Sequence, residues 1–276
     1  MKFKSRKKFH TCQADGELSS PSARLCRFFC EYASVMLGCG ATCLRITKNL
    51  NRMAAAVDGR VDLVILPSHV LVALTRADGN ECVQYEAPIA KLPIDFAINT
   101  RLSNLSWKVA EKRITVDRAA EMFWRIVDSG RMSPLWVWLL VVAANMSFCR
   151  IFGGDWGAVA LVGIATLAGF RLKTWLMGRG MDAKPVFALS AFVAALISII
   201  GYFVAGLTAT PNVALATSVL FLIPGIPYIN AVSDMLAGHY LCAFSRFMNA
   251  LLLTACIAAG MACAILLLRV DMFQPV

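Results

Sequence analysis

The sequence predicts an α-helical polytopic membrane protein of about five spans preceded by a cytoplasmic α+β domain, and three observations carry that expectation. Apolar residues make up 58% of the 276, charged residues only 16%, and mean hydropathy is +0.65. Soluble domains hold roughly 25% charged residues. The charge is also split unevenly: residues 1–133 hold 20 Lys and Arg against 13 Asp and Glu, whereas residues 134–276 hold 7 against 4. Finally, the 49 residues between Lys184 and Asp234 carry no charge. The 22 from Phe247 to Leu268 carry none either, which is about 33 Å of helix. Disorder, collagen and a secreted disulfide scaffold are excluded, the last because ten cysteines are spread thinly over the chain.

The dense basic cluster Lys2, Lys4, Arg6, Lys7 and Lys8 lies in a tail of residues 1–17. No apolar run follows it, so a mature cytoplasmic N-terminus is expected rather than a signal peptide. Elsewhere in the first half the basic residues are interleaved with acids, which argues against a nucleic-acid partner despite the net charge of +10.

Residues 18–133 read as the domain outside the bilayer. Ser19-Ser20-Pro21 is a helix start, followed by the apolar face Leu25, Phe28, Phe29, Tyr32 and Met36. Gly38-Cys39-Gly40 ends that helix, and a second runs from Ala41 to about Val57, with Asp58-Gly59 as a turn. Three β-like runs follow at Val61–Leu66, Val70–Thr75 and Glu81–Ala87, with Asp78-Gly79 as a hairpin signal. Two more helices are expected at about Asn99–Lys112 and Thr115–Asp128, the second capped by Thr115 with Asp117 in its first turn.

Ser133-Pro134 marks the boundary of a transmembrane domain, residues 134–276. Its apolar segments lie at about 135–152, 156–171, 186–207, 213–229 and 246–268. The second and fourth fall below the roughly 20 residues of a simple span, so tilt, partial insertion or a broken helix is expected there. Arg171, Lys173, Arg179 and Lys184 against Asp182 place their connection on the cytoplasmic side. Gly153-Gly154-Asp155 and the uncharged Thr208–Asn212 then lie outside, and five spans put the C-terminus outside too.

The most informative stretch is Leu222 to His239, where Pro224, Gly225 and Pro227 interrupt an apolar helix. A continued helix would leave the Leu220 and Ile223 carbonyls unpaired, which membrane interiors tolerate only against protein or water. A new helix after Pro227 would expose the N–H groups of Tyr228, Ile229 and Asn230, a partial positive charge suited to a carboxylate. Broken helices of this kind hold the substrate sites of secondary transporters. Asn230 and Asp234 share a face of the second half, and a buried Asp234 is a candidate proton carrier. The bland alternative is a surface Asp234 that pairs with Arg246. Asp155 and His239 are further proton-coupling candidates, the first against a tight outward turn, the second against an ordinary surface histidine. Arg150 and Arg246 are candidates to neutralise an anionic substrate, and equally interfacial anchors. Asn145 and Asn212 suit interhelical hydrogen bonding as well as substrate contact.

The sequence has no Walker A loop, no His-Glu-x-x-His, no Gly-x-Ser-x-Gly and no Cys-x-x-Cys, so neither ATP-driven pumping nor a metal or other cofactor is expected. The i,i+4 pairs Cys26/Cys30 and Cys39/Cys43 read as small core residues of a reduced domain. Gly38-x-Gly40 follows no strand and reads as a helix-breaking turn rather than part of a dinucleotide loop.

Three motifs carry a resemblance: Leu37-Gly38-Cys39-Gly40-Ala41, Phe152-Gly153-Gly154-Asp155, and the long ordered run from Pro224 through Tyr228, Asn230 and Asp234 to His239. On these, nearly the whole chain after the tail resembles the threonine/serine exporter family, specifically the large subunit of its two-gene form. The resemblance implies a bacterial inner-membrane exporter that needs a small YjjB-like membrane subunit in a hetero-oligomer, since fused relatives carry both parts in one chain. It points to succinate or another dicarboxylate as substrate, with threonine and serine as the alternative. Pro224, Gly225, Pro227, Tyr228, Asn230 and Arg246 are the expected substrate-binding residues, and Asp234, Asp155 and His239 the expected proton-coupling ones. Where many relatives have an Arg-x-Glu pair, this chain has Arg45-Ile46-Thr47, so no role of that glutamate carries over. From another class, a membrane-anchored enzyme or scaffold acting through the cytoplasmic domain remains the competing reading.

Overall fold

Ser20 opens the first described element by accepting a hydrogen bond from the Ala23 amide at 3.0 Å, with Pro21 in the first helical position where its missing N–H is not needed. The computed structural model describes residues 20–76, 81–90, 92–129, 133–203 and 206–268. The basic residues of the tail and the Asp78-Gly79 turn lie outside them.

Helix α1 (Pro21–Gly38) leads into α2 (Cys43–Ala55), three strands and two more helices, α3 (Phe96–Ala110) and α4 (Val116–Val127). The strands β1 (Gly59–Ile65), β2 (His69–Arg76) and β3 (Cys82–Pro88) form one antiparallel sheet in sequence order, with Val72 opposite Leu63 and Tyr85. Alternation along β2 buries Val70, Val72 and Leu74, the period of two that a half-buried strand requires. Helix α1 covers that face. Cys26 and Cys30 are buried there, and their thiols donate to the carbonyls of Val72 and Val83 and of Val70 and Tyr85. Burial pushes the Cys26 thiol up to about 12, so both cysteines are core residues and not nucleophiles, as expected. Phe28, Phe29, Tyr32 and Phe123 form the aromatic part of the core, Phe28 meeting Phe123 edge-on at 5.8 Å.

The α1–α2 turn is built on two glycines. A Cβ on Gly38 would sit 2.2 Å from the Ala90 carbonyl oxygen, and Gly40 has a φ of 87°, in the left-handed region. Helix α3 starts at Phe96, earlier than the expected Asn99, because the Asp95 carboxylate accepts from the Ala97 and Ile98 amides.

The apolar half holds α5 (Pro134–Ile151), α6 (Trp156–Gly178), α7 (Ala183–Phe203), α8 (Pro211–Ser218), a 3-10 turn at Leu220–Leu222, α9 (Gly225–Leu236) and α10 (Tyr240–Leu267). Among the described residues, four helices are long and apolar enough to cross a membrane, and five spans result if the bent pair from Pro211 to Leu236 counts as one. Helix α5 exposes Leu135, Trp136, Leu140 and Ile151, a face that suits lipid and not water. Two helices correct the sequence reading. Helix α6 runs seven residues past Arg171 because Arg171 lays its guanidinium group over Trp138 and Lys173 lies over Phe187, so these charges do not end the helix. At 23 residues it is long enough for a full span, against the expectation of a short one. Helix α10 begins at Tyr240, before the expected 246.

The chain divides into two compact units. One comprises Met1–Gly130 with Ile226–Phe247, the other Arg131–Gly225 with Met248–Val276. A single cut near Ser133 therefore misses that residues 226–247 cluster with the α+β part. In the second unit Asn145 of α5 donates to Thr166 of α6 at 2.6 Å and to the Thr217 carbonyl of α8 at 3.0 Å, the interhelical role expected of it.

Candidate functional site

The prolines break the fourth segment where expected, but its backbone is satisfied differently. The chain bends by 61° between Pro211–Leu222 and Gly225–Leu236. The Leu220 carbonyl accepts from Ile223 at 3.1 Å and the Ile223 carbonyl from Gly225 at 2.9 Å, so tight turns take up both carbonyls that the prolines free. Helix α9 starts at Gly225, which puts Pro227 in its first turn, where an N–H is dispensable. The amides of Ile229 and Asn230 then bond inside the helix. Asn230 contributes its side chain, and the expected row of bare amides from Tyr228 to Asn230 is not formed.

Three side chains converge on the glycine turn of the same unit. The Asn230 amide nitrogen donates to the Gly40 carbonyl at 2.8 Å. Asp234, one helical turn on and fully buried, accepts from the Cys43 N–H at 2.7 Å, at the amino end of α2 where the helix dipole favours an anion. Its other oxygen accepts from Arg246 at 2.7 Å, and the second guanidinium nitrogen of Arg246 donates to the Ala41 carbonyl at 2.9 Å. Side chains of α9 and α10 thus grip the backbone of residues 40–43 through an ion pair whose carboxylate is fully buried and whose guanidinium is half-buried. Such a pair holds its geometry because removing Arg246 strands the Asp234 carboxylate away from water. The burial of Asp234 together with its pairing to Arg246 was not anticipated, since the sequence offered burial and pairing as alternatives.

Cys43 and Cys242 complete the cluster, Cys242 lying one turn before Arg246 with its sulfur 4.0 Å from the Asp234 carboxylate. The ligand atoms of Cys43, Asp234 and Cys242 lie within 4.8 Å of one another, a donor set that a soft divalent metal accepts. Arg246 already occupies the carboxylate oxygen that faces Cys242, so the cluster is neutral as it stands. The hydrogen bond with Cys242 and burial push the Cys43 thiol up, which keeps it protonated. Neither cysteine was singled out as functional. Their only signal was spacing, Thr42-Cys43 at a helix start and Cys242 four residues before Arg246.

Of the other candidates, Pro224 is buried, Gly225 is open, and Tyr228 packs edge-on against Phe247 at 5.7 Å. His239 lies in the α9–α10 turn and donates its backbone N–H to the Asp234 carbonyl. Asp155 belongs to the second unit and to a different structure. It caps α6 through Ala158 at 3.0 Å and accepts from Thr208, Thr210 and the Ala209 amide. Those bonds, that from Thr208 foremost, hold its carboxyl well below the usual carboxylate range, which suits a fixed anion better than a group that gains and loses protons. Because the folded value is the lowered one, its contribution to stability is complete above the ordinary 3.8 and fades as pH falls below it. Asp155→Ala is therefore expected to lower the thermal unfolding midpoint at pH 7, with the gap to the parent protein closing in acid. Equal midpoints at pH 7 in tryptophan-fluorescence scans would contradict this.

The α+β part also has a cleft of about 730 Å³ lined by Arg24, Asp58, Arg76 and Lys112 among others. Asp58 and Lys112 are the non-glycine residues with positive φ among those described, and both lie there. None of the predicted site residues does.

A family model described as "Putative threonine/serine exporter" matches residues 27–268, and so spans both units. The chain belongs to the threonine/serine exporter family. As a member of it, this is a multi-pass membrane exporter, and its transport class is non-enzymatic. Threonine/serine exporter relatives include a Klebsiella aerogenes protein called "Probable succinate transporter subunit YjjP", 27% identical over 253 residues that cover 91% of this chain and 96% of that one. The Escherichia coli K12 protein of the same name is 33% identical over 133 residues, 48% of this chain and 52% of its own. A Mycobacterium tuberculosis "Probable threonine/serine exporter" is 24% identical over 234 residues, 83% of this chain but 43% of that longer one. No solved structure matches the chain.

Proposed function

We propose that the chain is the large subunit of a two-component secondary transporter of the bacterial inner membrane that exports a small carboxylate, in the first instance a dicarboxylate such as succinate. The observation that carries this reading is the half-buried guanidinium of Arg246, 2.7 Å from the fully buried Asp234 carboxylate beside a broken apolar segment. A guanidinium held against an internal carboxylate is a carboxylate site with a resident occupant. A proton taken up by Asp234 frees Arg246 for the carboxylate of a substrate, and the site is neutral again once that carboxylate is bound. Asn230 steadies the turn against which the exchange takes place. Asp155 serves as a fixed cap, so the proton role rests on Asp234.

The α+β part lies in the cytoplasm, in keeping with the basic residues between α6 and α7. Two relatives are named as probable subunits of a succinate transporter, which supports the substrate and the need for a partner subunit, here taken to be a small YjjB-like membrane protein. The name of the M. tuberculosis relative favours a second reading, threonine and serine, whose α-carboxylate would use the same guanidinium.

Vesicles containing the chain and its small partner test the choice. Succinate flux above that of vesicles lacking either subunit is expected. Flux of threonine and serine without succinate would select the second reading, and flux of none of them would overturn both.

A further inference from the structure

The second unit holds a cation and hydroxyl groups that the Arg246 site does not use. Hydroxyl side chains in the apolar helices ordinarily turn back onto their own helix: Ser147 to Ala143 at 2.8 Å, Thr217 to Val213 at 2.7 Å, Thr254 to Ala250 at 3.1 Å. Ser190 and Ser198 of α7 do not. Both are buried, at 0% and 3% exposure, and their oxygens have no hydrogen-bond partner among the described residues. Eight residues apart, they lie on one side of α7 about 12 Å from each other along the axis. A buried hydroxyl left unpaired at membrane depth costs stability, so its retention points to a ligand that is bound only part of the time.

The cation is Lys173. Its ammonium lies 4.3 Å from the ring centre of Phe187 and 5.9 Å from that of Phe170, and no carboxylate among the described residues pairs with it. Lys173 and Gly169 are one turn apart on α6, as Phe187 and Ser190 are on α7. The two helices meet along that seam: a Cβ on Gly169 would sit 3.2 Å from the Ser190 carbonyl oxygen and 2.9 Å from the ring of Phe221 in the 3-10 turn. Lys173 and Ser190 therefore lie on the same seam about one turn apart, with the 3-10 turn packed against it.

We infer that Lys173 and Ser190 form a carboxylate-binding station in the α6–α7 seam, with Ser198 the next hydroxyl along the path. The inference rests on the carboxylate-export reading above and adds a second station to it. The ammonium supplies the charge, Ser190 donates a hydrogen bond, and Phe170 and Phe187 cover the short carbon chain and exclude water. With Ser190 fully buried the seam is closed, so a substrate enters when α6 and α7 part during turnover.

The test measures succinate flux by the complete two-subunit transporter in vesicles, with assembly checked by size exclusion. Loss of a charge-assisted contact in Lys173→Gln is expected to raise KM about tenfold or more, with kcat changed far less. Lys173→Arg should recover most of the loss. Ser190→Ala, which removes one oxygen and leaves the packing nearly intact, should raise KM about fivefold, and Ser190→Thr should restore it. Lys184→Gln, at an exposed lysine in the first turn of α7, should leave KM unchanged. If Lys173→Gln and Ser190→Ala both transport with the parent KM, or if Lys184→Gln raises KM as much as Lys173→Gln does, the station is wrong and the export reading stands. If the parent transporter moves no carboxylate, the export reading fails and takes this inference with it.

Discussion

Arg246→Ala is expected to destabilise the protein by about 3–5 kcal/mol and to abolish export, because it leaves the Asp234 carboxylate buried without its cation. Asp234 has 0% of its side chain exposed and cannot turn to water, and the single N–H of Cys43 does not replace a guanidinium. The Ala41 carbonyl loses its donor at the same time. The companion variant separates architecture from transport. Asp234→Asn combined with Arg246→Met removes both charges and should recover much of the thermal midpoint, since apolar replacement of a buried pair is often close to neutral. Export should stay lost. A double variant that exports like the parent would reduce the pair to a structural clamp.

Gly38→Ala should cost about 1–3 kcal/mol or more, on grounds of space alone. The new methyl group would lie 2.2 Å from the Ala90 carbonyl oxygen and 3.1 Å from its carbon, and a backbone atom cannot swing aside as a side chain can. Either the end of α1 or residues 89–90 must move. That movement carries the Gly40 and Ala41 carbonyls away from Asn230 and Arg246, so export should fall along with stability. Gly178→Ala provides the control. Nothing lies within 4 Å of its Cβ position, and its midpoint should stay within the equivalent of about 0.5 kcal/mol of the parent. Equal midpoints for the two variants in detergent would contradict the packing described for the turn.

The α+β part was legible because its punctuation is local. Ser20-Pro21, Thr115 and the Gly38–Gly40 turn each fix a boundary through a cap or a left-handed residue within a few positions of the signal. Apolar length identified the membrane helices but misjudged the end of α6, since Arg171 and Lys173 lie on aromatic rings and do not stop the helix. At the site, the shared face of Asn230 and Asp234 follows from helical spacing. The place they grip does not. Gly40 and Cys43 lie 190 and 191 residues away, and no periodicity encodes a contact over that distance. The same contact explains why residues 226–247 fall in with the α+β part.

The central claim is that Asp234 occupies Arg246 in the place of a substrate carboxylate, and calorimetric titration of succinate into the complete transporter addresses it most directly. Asp234→Asn removes the internal competitor, so the account predicts succinate binding about tenfold tighter than in the parent, while turnover falls. Binding that is unchanged or weaker in Asp234→Asn would contradict it.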